Sequence, residues 1–115
     1  MATIKVTQEH INHGQLESCY HCPVALAVNE VLAPGYGCTA GPPSINIYKR
    51  IEDSDYAAPF HYEMLQGIGT PPVASRFMRH FEQGIAAAIP SPFEFELPIH
   101  TQYLRNPETT DVQAD

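Results

Sequence analysis

Apolar and polar residues alternate in several segments of the chain, and this period of two predicts β-strands. The alternation is most regular in residues 93–97, where the phenylalanines and the leucine are expected to face the core and the glutamates to face water. Residues 3–6 and 44–51 follow the same pattern and include several β-branched side chains. A further strand is predicted around residues 61–65. The pattern therefore predicts about four strands.

Helix capping signals separate these strands. Thr7 is a suitable N-cap for a short helix over residues 8–13, which Gly14 would end. A second helix is predicted to begin at Cys22, with Pro23 at its first helical position, where the missing N–H of proline costs nothing. Residues 23–32 of this helix are apolar almost all round, with Asn29 and Glu30 as the exceptions, and we expect the helix to be buried on most faces.

A third helix is predicted in the second half of the chain. Thr70 and the two prolines after it are a helix start signal, with the threonine as the expected cap. Val73, Phe77 and Phe81 then recur at a spacing of four and form one apolar stripe. Gly84 is a natural stop for this helix.

The segment that follows the second helix is rich in proline and glycine. Residues 34–43 contain three of each, between two hydrophobic elements. This composition predicts an ordered, tight loop of the kind that often carries function.

Together these elements predict an α+β domain. It would have a mostly antiparallel sheet of about four strands, two main helices and one short helix. Its 115 residues are enough for one core and too few for two ordinary domains. We expect residues 1–104 to form a single domain and residues 105–115 to form a mobile, acidic tail.

The charge balance limits the classes of partner. The chain has 13 acidic residues against 6 Lys and Arg, for a formal net charge of −7. This charge argues against general binding to nucleic acid or to anionic membranes, which require many cations. No apolar run approaches the roughly 20 residues needed to span a bilayer. Three cysteines, an odd number, indicate a reducing compartment, and we expect a cytoplasmic protein.

The cysteines allow three interpretations. Cys19 and Cys22 form half of a zinc-binding motif, which Cys38 and a histidine such as His13 would complete. Alternatively, Cys22 is a redox thiol whose pKa is lowered by the helix N-terminus. The third interpretation is structural, with Cys22 capping the helix or packing as a small apolar side chain. His10, three residues before His13, shares a helical face with it and is either a ligand or a surface residue.

The few cations form a second candidate site. If they converge near aromatic rings, guanidinium groups would hold a phosphate and the rings would stack on a base. The alternative is that they are solvated surface charges. The candidate ligand-binding residues are Arg76, Arg79, Lys49, Arg50, Tyr36, Tyr48 and His80.

The chain resembles a set of small bacteriophage-encoded proteins of unassigned function. The residues that carry the resemblance are Val6-Thr7-x-Glu9-His10-Ile11-x-x-Gly14, Cys22-Pro23-Val24-Ala25-Leu26-Ala27, Pro72-x-x-x-x-Phe77-x-x-x-Phe81-x-x-Gly84 and Pro92-Phe93-x-Phe95-Glu96-Leu97. These are mainly capping and core positions. The resemblance implies an origin and a size class, and it implies no catalytic residue.

Two functional interpretations follow from these features. The first is a non-enzymatic phage accessory protein with an anti-defence role, which captures a small anionic nucleotide-type ligand or blocks a host defence protein. It requires no cofactor, and exposed sheet edges would allow the chain to form a homo-oligomer. The alternative is a small zinc-stabilised protein-interaction module. A hydrolase or redox enzyme has the least support, because no catalytic motif is present.

Overall fold

The protein has an α+β fold, as predicted, and its described residues form five strands instead of the predicted four. The structure is a computed structural model that describes residues 1–15, 18–51, 61–83 and 92–105. The strands are β1 (Ala2–Val6), β2 (Tyr36–Ala40), β3 (Ser44–Ile51), β4 (His61–Gly69) and β5 (Phe93–Leu97). The helices are α1 (Gln8–His13), α2 (Pro23–Val31) and α3 (Pro72–Gln83), followed near the C-terminus by a 3₁₀ turn (Thr101–Tyr103).

The strands form two antiparallel sheets. In the first sheet β1 pairs with β5, so that the beginning of the chain meets a strand more than 90 residues later. Ile4 lies opposite Phe95 on the buried face, and Lys5 lies opposite Glu94 on the exposed face. The alternation predicted for residues 93–97 is confirmed, with exposed glutamates and a fully buried Leu97. The second sheet has the order β2-β3-β4.

Strand β2 corrects the prediction of a loop over residues 34–43. Cys38 and Ala40 are buried while Thr39 is only half-buried, so the segment has the alternation of a strand. The flanking prolines and glycines obscured this short pattern. Gly37 has a packing role in β2, because a Cβ atom there would lie 2.9 Å from the ring of Tyr48 on the neighbouring strand.

Helix α2 packs against both sheets through contacts with β1 and β2. Val24, Ala25 and Val28 are completely buried, which confirms that this helix is covered on most faces. The segment after the helix pairs with the end of the described chain, through a bridge between Leu32 and Leu104. The Arg105 N–H also donates to the Val31 carbonyl (2.8 Å). Arg105, expected in the tail, is therefore joined to the fold, and the rest of the predicted tail lies outside the described residues.

The side chain of Gln66 links the two sheets. Its Nε2 donates to the Pro98 carbonyl at 2.7 Å, and its Oε1 accepts from the His100 N–H at 3.0 Å. Gln66 belongs to β4, and the two partners directly follow β5. One amide thus satisfies backbone groups that no neighbouring strand pairs at this point.

Helix α3 forms in the predicted region, but its N-cap residue differs from the predicted one. The Thr70 hydroxyl donates to the Gly41 carbonyl (2.7 Å), and the Ser75 N–H bonds to the Pro71 carbonyl (2.9 Å). Pro71 therefore occupies the cap position expected for Thr70. On the apolar side, the ring of Phe77 packs against Phe93 of β5 with ring centroids 4.8 Å apart. The predicted stop at Gly84 lies outside the described residues.

Candidate binding groove between the first two helices

A capping box orients α1, whose predicted bounds are confirmed. The Thr7 hydroxyl accepts from the His10 N–H (3.3 Å), and His10 Nδ1 accepts from the Thr7 N–H (2.9 Å). The usual side chain at the third helical position of this motif is Glu or Gln. Because histidine replaces it, the sequence signature did not reveal that His10 would turn back toward the cap.

Gly14 brings α1 close to the start of α2. It has an extended conformation (φ −69°, ψ 149°), so positive φ is not the reason for glycine here. The reason is space, because a Cβ atom at this position would lie 2.5 Å from ring atoms of Pro23. The two helices therefore pack side by side.

A groove of about 330 Å³ lies between these two helices. The residues that line it are Glu9, His10, His13, Leu26 and Glu30. Leu26 supplies apolar surface, while the remaining side chains supply carboxylate and imidazole groups. Glu30 was visible in the sequence as a charged exception in an apolar helix, but only the packing of α1 explains its position.

His10 is the buried polar residue of this groove, with 6% of its surface exposed. A backbone N–H only donates, so the Nδ1 atom that accepts from Thr7 carries no proton. The ring proton is then on Nε2, which lies 2.9 Å from Glu30 Oε2 and donates to it. The His10 ring therefore positions the Glu30 carboxylate, whose side chain is 68% exposed.

His13 is oriented by the same helix. Its Nδ1 lies 3.0 Å from the Glu9 carbonyl oxygen, which only accepts, so Nδ1 is the donor. In the neutral ring, Nε2 is then left as an acceptor. The Glu9 carboxylate itself makes no hydrogen bond or ion pair with any described residue. The groove thus presents mainly hydrogen-bond acceptors and negative charge.

Replacing His10 tests its role as a cap. His10→Leu keeps the apolar volume but removes the acceptor for the Thr7 N–H, and we expect it to lower the free energy of unfolding by about 1–2 kcal/mol. His10→Gln should lower the free energy of unfolding by less, because glutamine is a usual partner in a capping box. Urea denaturation of both variants measures the difference. Equal losses would show that His10 stabilises the fold by packing alone.

Two of the three cysteines, Cys22 and Cys38, are buried. Cys22 occupies the N-cap position of α2, as predicted, but its side chain makes no capping hydrogen bond. The thiol is buried, and burial raises its pKa above the ordinary value. The lowered pKa expected for a redox thiol is therefore wrong, because desolvation outweighs the helix terminus. Burial also raises the pKa of the Cys38 thiol, which lies 3.5 Å from the Ala25 carbonyl oxygen.

The zinc interpretation involved Cys19, Cys22, Cys38 and His13. Within the described ranges, no group of three or more histidine, cysteine or acidic side chains is arranged to hold a metal ion. Cys19 is exposed in the loop before α2, whereas Cys22 and Cys38 are buried. His13 lies on α1 and lines the groove with Glu9.

The burial of the thiols predicts their reactivity. With Ellman's reagent at neutral pH, we expect Cys19 to react readily, and Cys22 and Cys38 to react only after denaturation, because both are buried and protonated. Absorbance at low and high denaturant counts the reactive thiols in each state. Rapid reaction of all three cysteines in the native protein would contradict this assignment.

The predicted ligand-binding residues lie on three elements, β2, β3 and α3, and Tyr36 of β2 lies opposite Lys49 of β3. Lys49 of β3 lies opposite Glu63 of β4, and Arg79 of α3 is near the Ser75 hydroxyl at 3.5 Å. Arg76 is exposed on α3, and His80 is half-buried on the same helix. The side chain of Arg50 lies outside the described part.

The two tyrosines of that set pack within the fold. The Tyr48 ring is buried and lies over Gly37, with the Tyr20 ring approaching edge-on. Tyr36 packs against Tyr103 with ring centroids 5.2 Å apart. Neither the α1–α2 groove nor a second open pocket, beside Val6 and Phe93, is lined by any of the predicted ligand-binding residues.

Comparison of the chain with protein-family models, with curated proteins and with solved structures finds no match. None of the described helices combines the length and the apolar composition that a membrane-spanning helix needs.

Proposed function

We propose that this protein is a non-enzymatic accessory protein that binds and blocks a protein partner through a basic surface of that partner. The observation that carries the proposal is the α1–α2 groove, which is lined by Glu9, Glu30 and the apolar side chain of Leu26. The formal net charge of −7 adds a long-range attraction to basic partners. The proposed target is a host defence protein, which follows from the expectation that the chain is one of the small bacteriophage-encoded proteins.

The arrangement of the cations favours a protein partner over a small anionic ligand. Lys5 lies opposite Glu94 and Lys49 lies opposite Glu63, so these two positive charges have carboxylates as cross-strand neighbours. Capture of a nucleotide requires several cations that converge on its phosphates. The groove instead has the sign of charge that repels phosphate.

Affinity purification from a bacterial lysate, with identification by mass spectrometry and reconstitution from purified components, tests this proposal. We expect a basic partner that remains bound at about 50 mM salt and dissociates at about 500 mM, because screening weakens attraction between exposed charges. A panel of signalling nucleotides should leave the thermal unfolding midpoint unchanged.

Binding of a nucleotide would contradict the proposal. If a nucleotide raises the unfolding midpoint by several degrees, and the Arg76→Ala/Arg79→Ala double variant abolishes that rise, the protein captures a ligand and the proposal is wrong. Intact native mass spectrometry of the purified protein would then identify the copurified nucleotide.

A further inference from the structure

We propose that the α1–α2 groove recognises an arginine side chain of the protein partner. This inference rests on the proposed function and specifies which chemical group of the partner the groove binds.

The groove combines an apolar surface with charged walls. Leu26 is half-buried and contributes the apolar part, while α1 supplies Glu9 and His13 and α2 supplies Glu30. An arginine side chain has the matching composition, because its three methylene groups pack on apolar surface and its planar head carries the charge. A volume of about 330 Å³ is sufficient for one side chain of this size.

The hydrogen-bond acceptors of the groove are complementary to the donors of an arginine side chain. Glu30 uses Oε2 to accept from His10, and its other carboxylate oxygen makes no hydrogen bond with a described residue. The Glu9 carboxylate is likewise without a partner among the described side chains. A guanidinium group has five N–H donors and no acceptor, so it can bond to carboxylates on both helices.

Arginine fits this arrangement better than the other cations. A lysine ammonium is a compact, strongly hydrated charge, whereas the guanidinium fork is weakly hydrated and matches carboxylate geometry. A metal ion would require three converging ligands, and the described residues offer no such group. A second copy of the chain would bring its own acidic surface to the groove, given the net charge of −7.

Titration of the ¹⁵N-labelled full chain with N-acetylarginine amide tests the site. We expect chemical-shift changes confined to residues of α1 and α2, with a dissociation constant on the order of 1 mM for a ligand of this size. N-acetylcitrulline amide, which has the same shape without the charge, should cause no such changes. N-acetyllysine amide should bind more weakly than the arginine probe.

Matched charge variants locate the interaction. Glu9→Gln and Glu30→Gln should each weaken arginine binding by about threefold to tenfold, since each removes one charge-assisted hydrogen bond. The glutamine oxygen at position 30 still accepts from His10, which preserves the wall of the groove. Glu96→Gln on β5 removes the same charge from an exposed position outside the groove and should bind as the wild type does.

Three results would overturn the inference. These are equal shifts with the citrulline probe, shifts that map outside α1 and α2, and equal weakening by Glu30→Gln and Glu96→Gln. If a purified partner binds the protein independently of Glu9 and Glu30, the arginine site is wrong while the proposed function stands. If arginine binds in the groove but no protein partner is retained, the site is supported and the proposed function is wrong.

Discussion

Gly14→Ala is expected to lower the free energy of unfolding by about 2–3 kcal/mol, an effect typical of overpacking in a rigid contact. The new methyl group would lie 2.5 Å from Cγ and Cδ of Pro23 and 2.8 Å from its backbone nitrogen. A proline ring has little freedom to move away, and Pro23 begins a helix that is held between two sheets. Helix α1 would therefore have to shift away from α2.

Thermal denaturation of Gly14→Ala should show a midpoint roughly 8–15 °C below that of the wild type for a domain of this size. The matched control is Gly69→Ala, because a Cβ atom at Gly69 has no neighbour within 4 Å. Its stability should change by at most about 1 kcal/mol. Equal effects of the two substitutions would indicate that backbone flexibility, and not the contact with Pro23, explains the requirement for glycine at position 14.

Leu32→Ala is expected to lower the free energy of unfolding by about 3 kcal/mol. This value lies within the range of about 2–5 kcal/mol that is usual when a buried leucine is replaced by alanine. Leu32 is 1% exposed and follows α2, where the chain pairs with Leu104. Its loss would leave a cavity at the end of α2, where the chain pairs with the C-terminal segment. Urea denaturation measures the change, with the slope of the transition expected to stay constant.

The control for Leu32→Ala is Met64→Ala, which removes a side chain of similar size that is 61% exposed. We expect this substitution to lower the free energy of unfolding by less than about 0.5 kcal/mol, as most surface substitutions do. A comparable loss in both variants would mean that Leu32 is not a core residue. Separate unfolding transitions in Leu32→Ala would show that the two sheets do not form one cooperative unit.

Both predictions concern the ends of α2, and this reflects how the candidate site is built. The helix is covered by both sheets, so its orientation is determined by the core. Gly14 then places α1 beside it, and the contact between His10 and Glu30 aligns their facing sides. The groove is therefore a consequence of core packing, and substitutions that move α1 should also weaken binding at the groove.

Local signals in the sequence were sufficient for most secondary-structure elements. Thr7, Gly14 and Pro23 determine helix boundaries within one or two turns of themselves, and they predicted α1 and the start of α2 correctly. Strand β2 was not predicted, because prolines and glycines on both sides concealed its five residues of alternation. The predicted cap at Thr70 was wrong, because the Thr70 hydroxyl donates to the distant carbonyl of Gly41.

The candidate site was only partly accessible to this reasoning. His10, His13 and Glu30 each stood out as single residues, but nothing local indicates that the first would cap its own helix and contact the third across a groove. Likewise, the helix N-terminus suggested a lowered pKa for Cys22. The direction is reversed because burial depends on how β2 and α2 pack, which the sequence around Cys22 does not show.

The sequence by itself determined the class of the fold, most helix caps and the acidic balance of charge. Periodicity and capping depend on a few neighbouring residues, and composition does not depend on the order of residues at all. Only the tertiary structure decided which ends of the chain pair as β1 and β5, which cysteines are buried, and which charges share a surface. These properties depend on contacts between residues that are far apart in sequence. Such contacts follow from the simultaneous packing of all elements around one core.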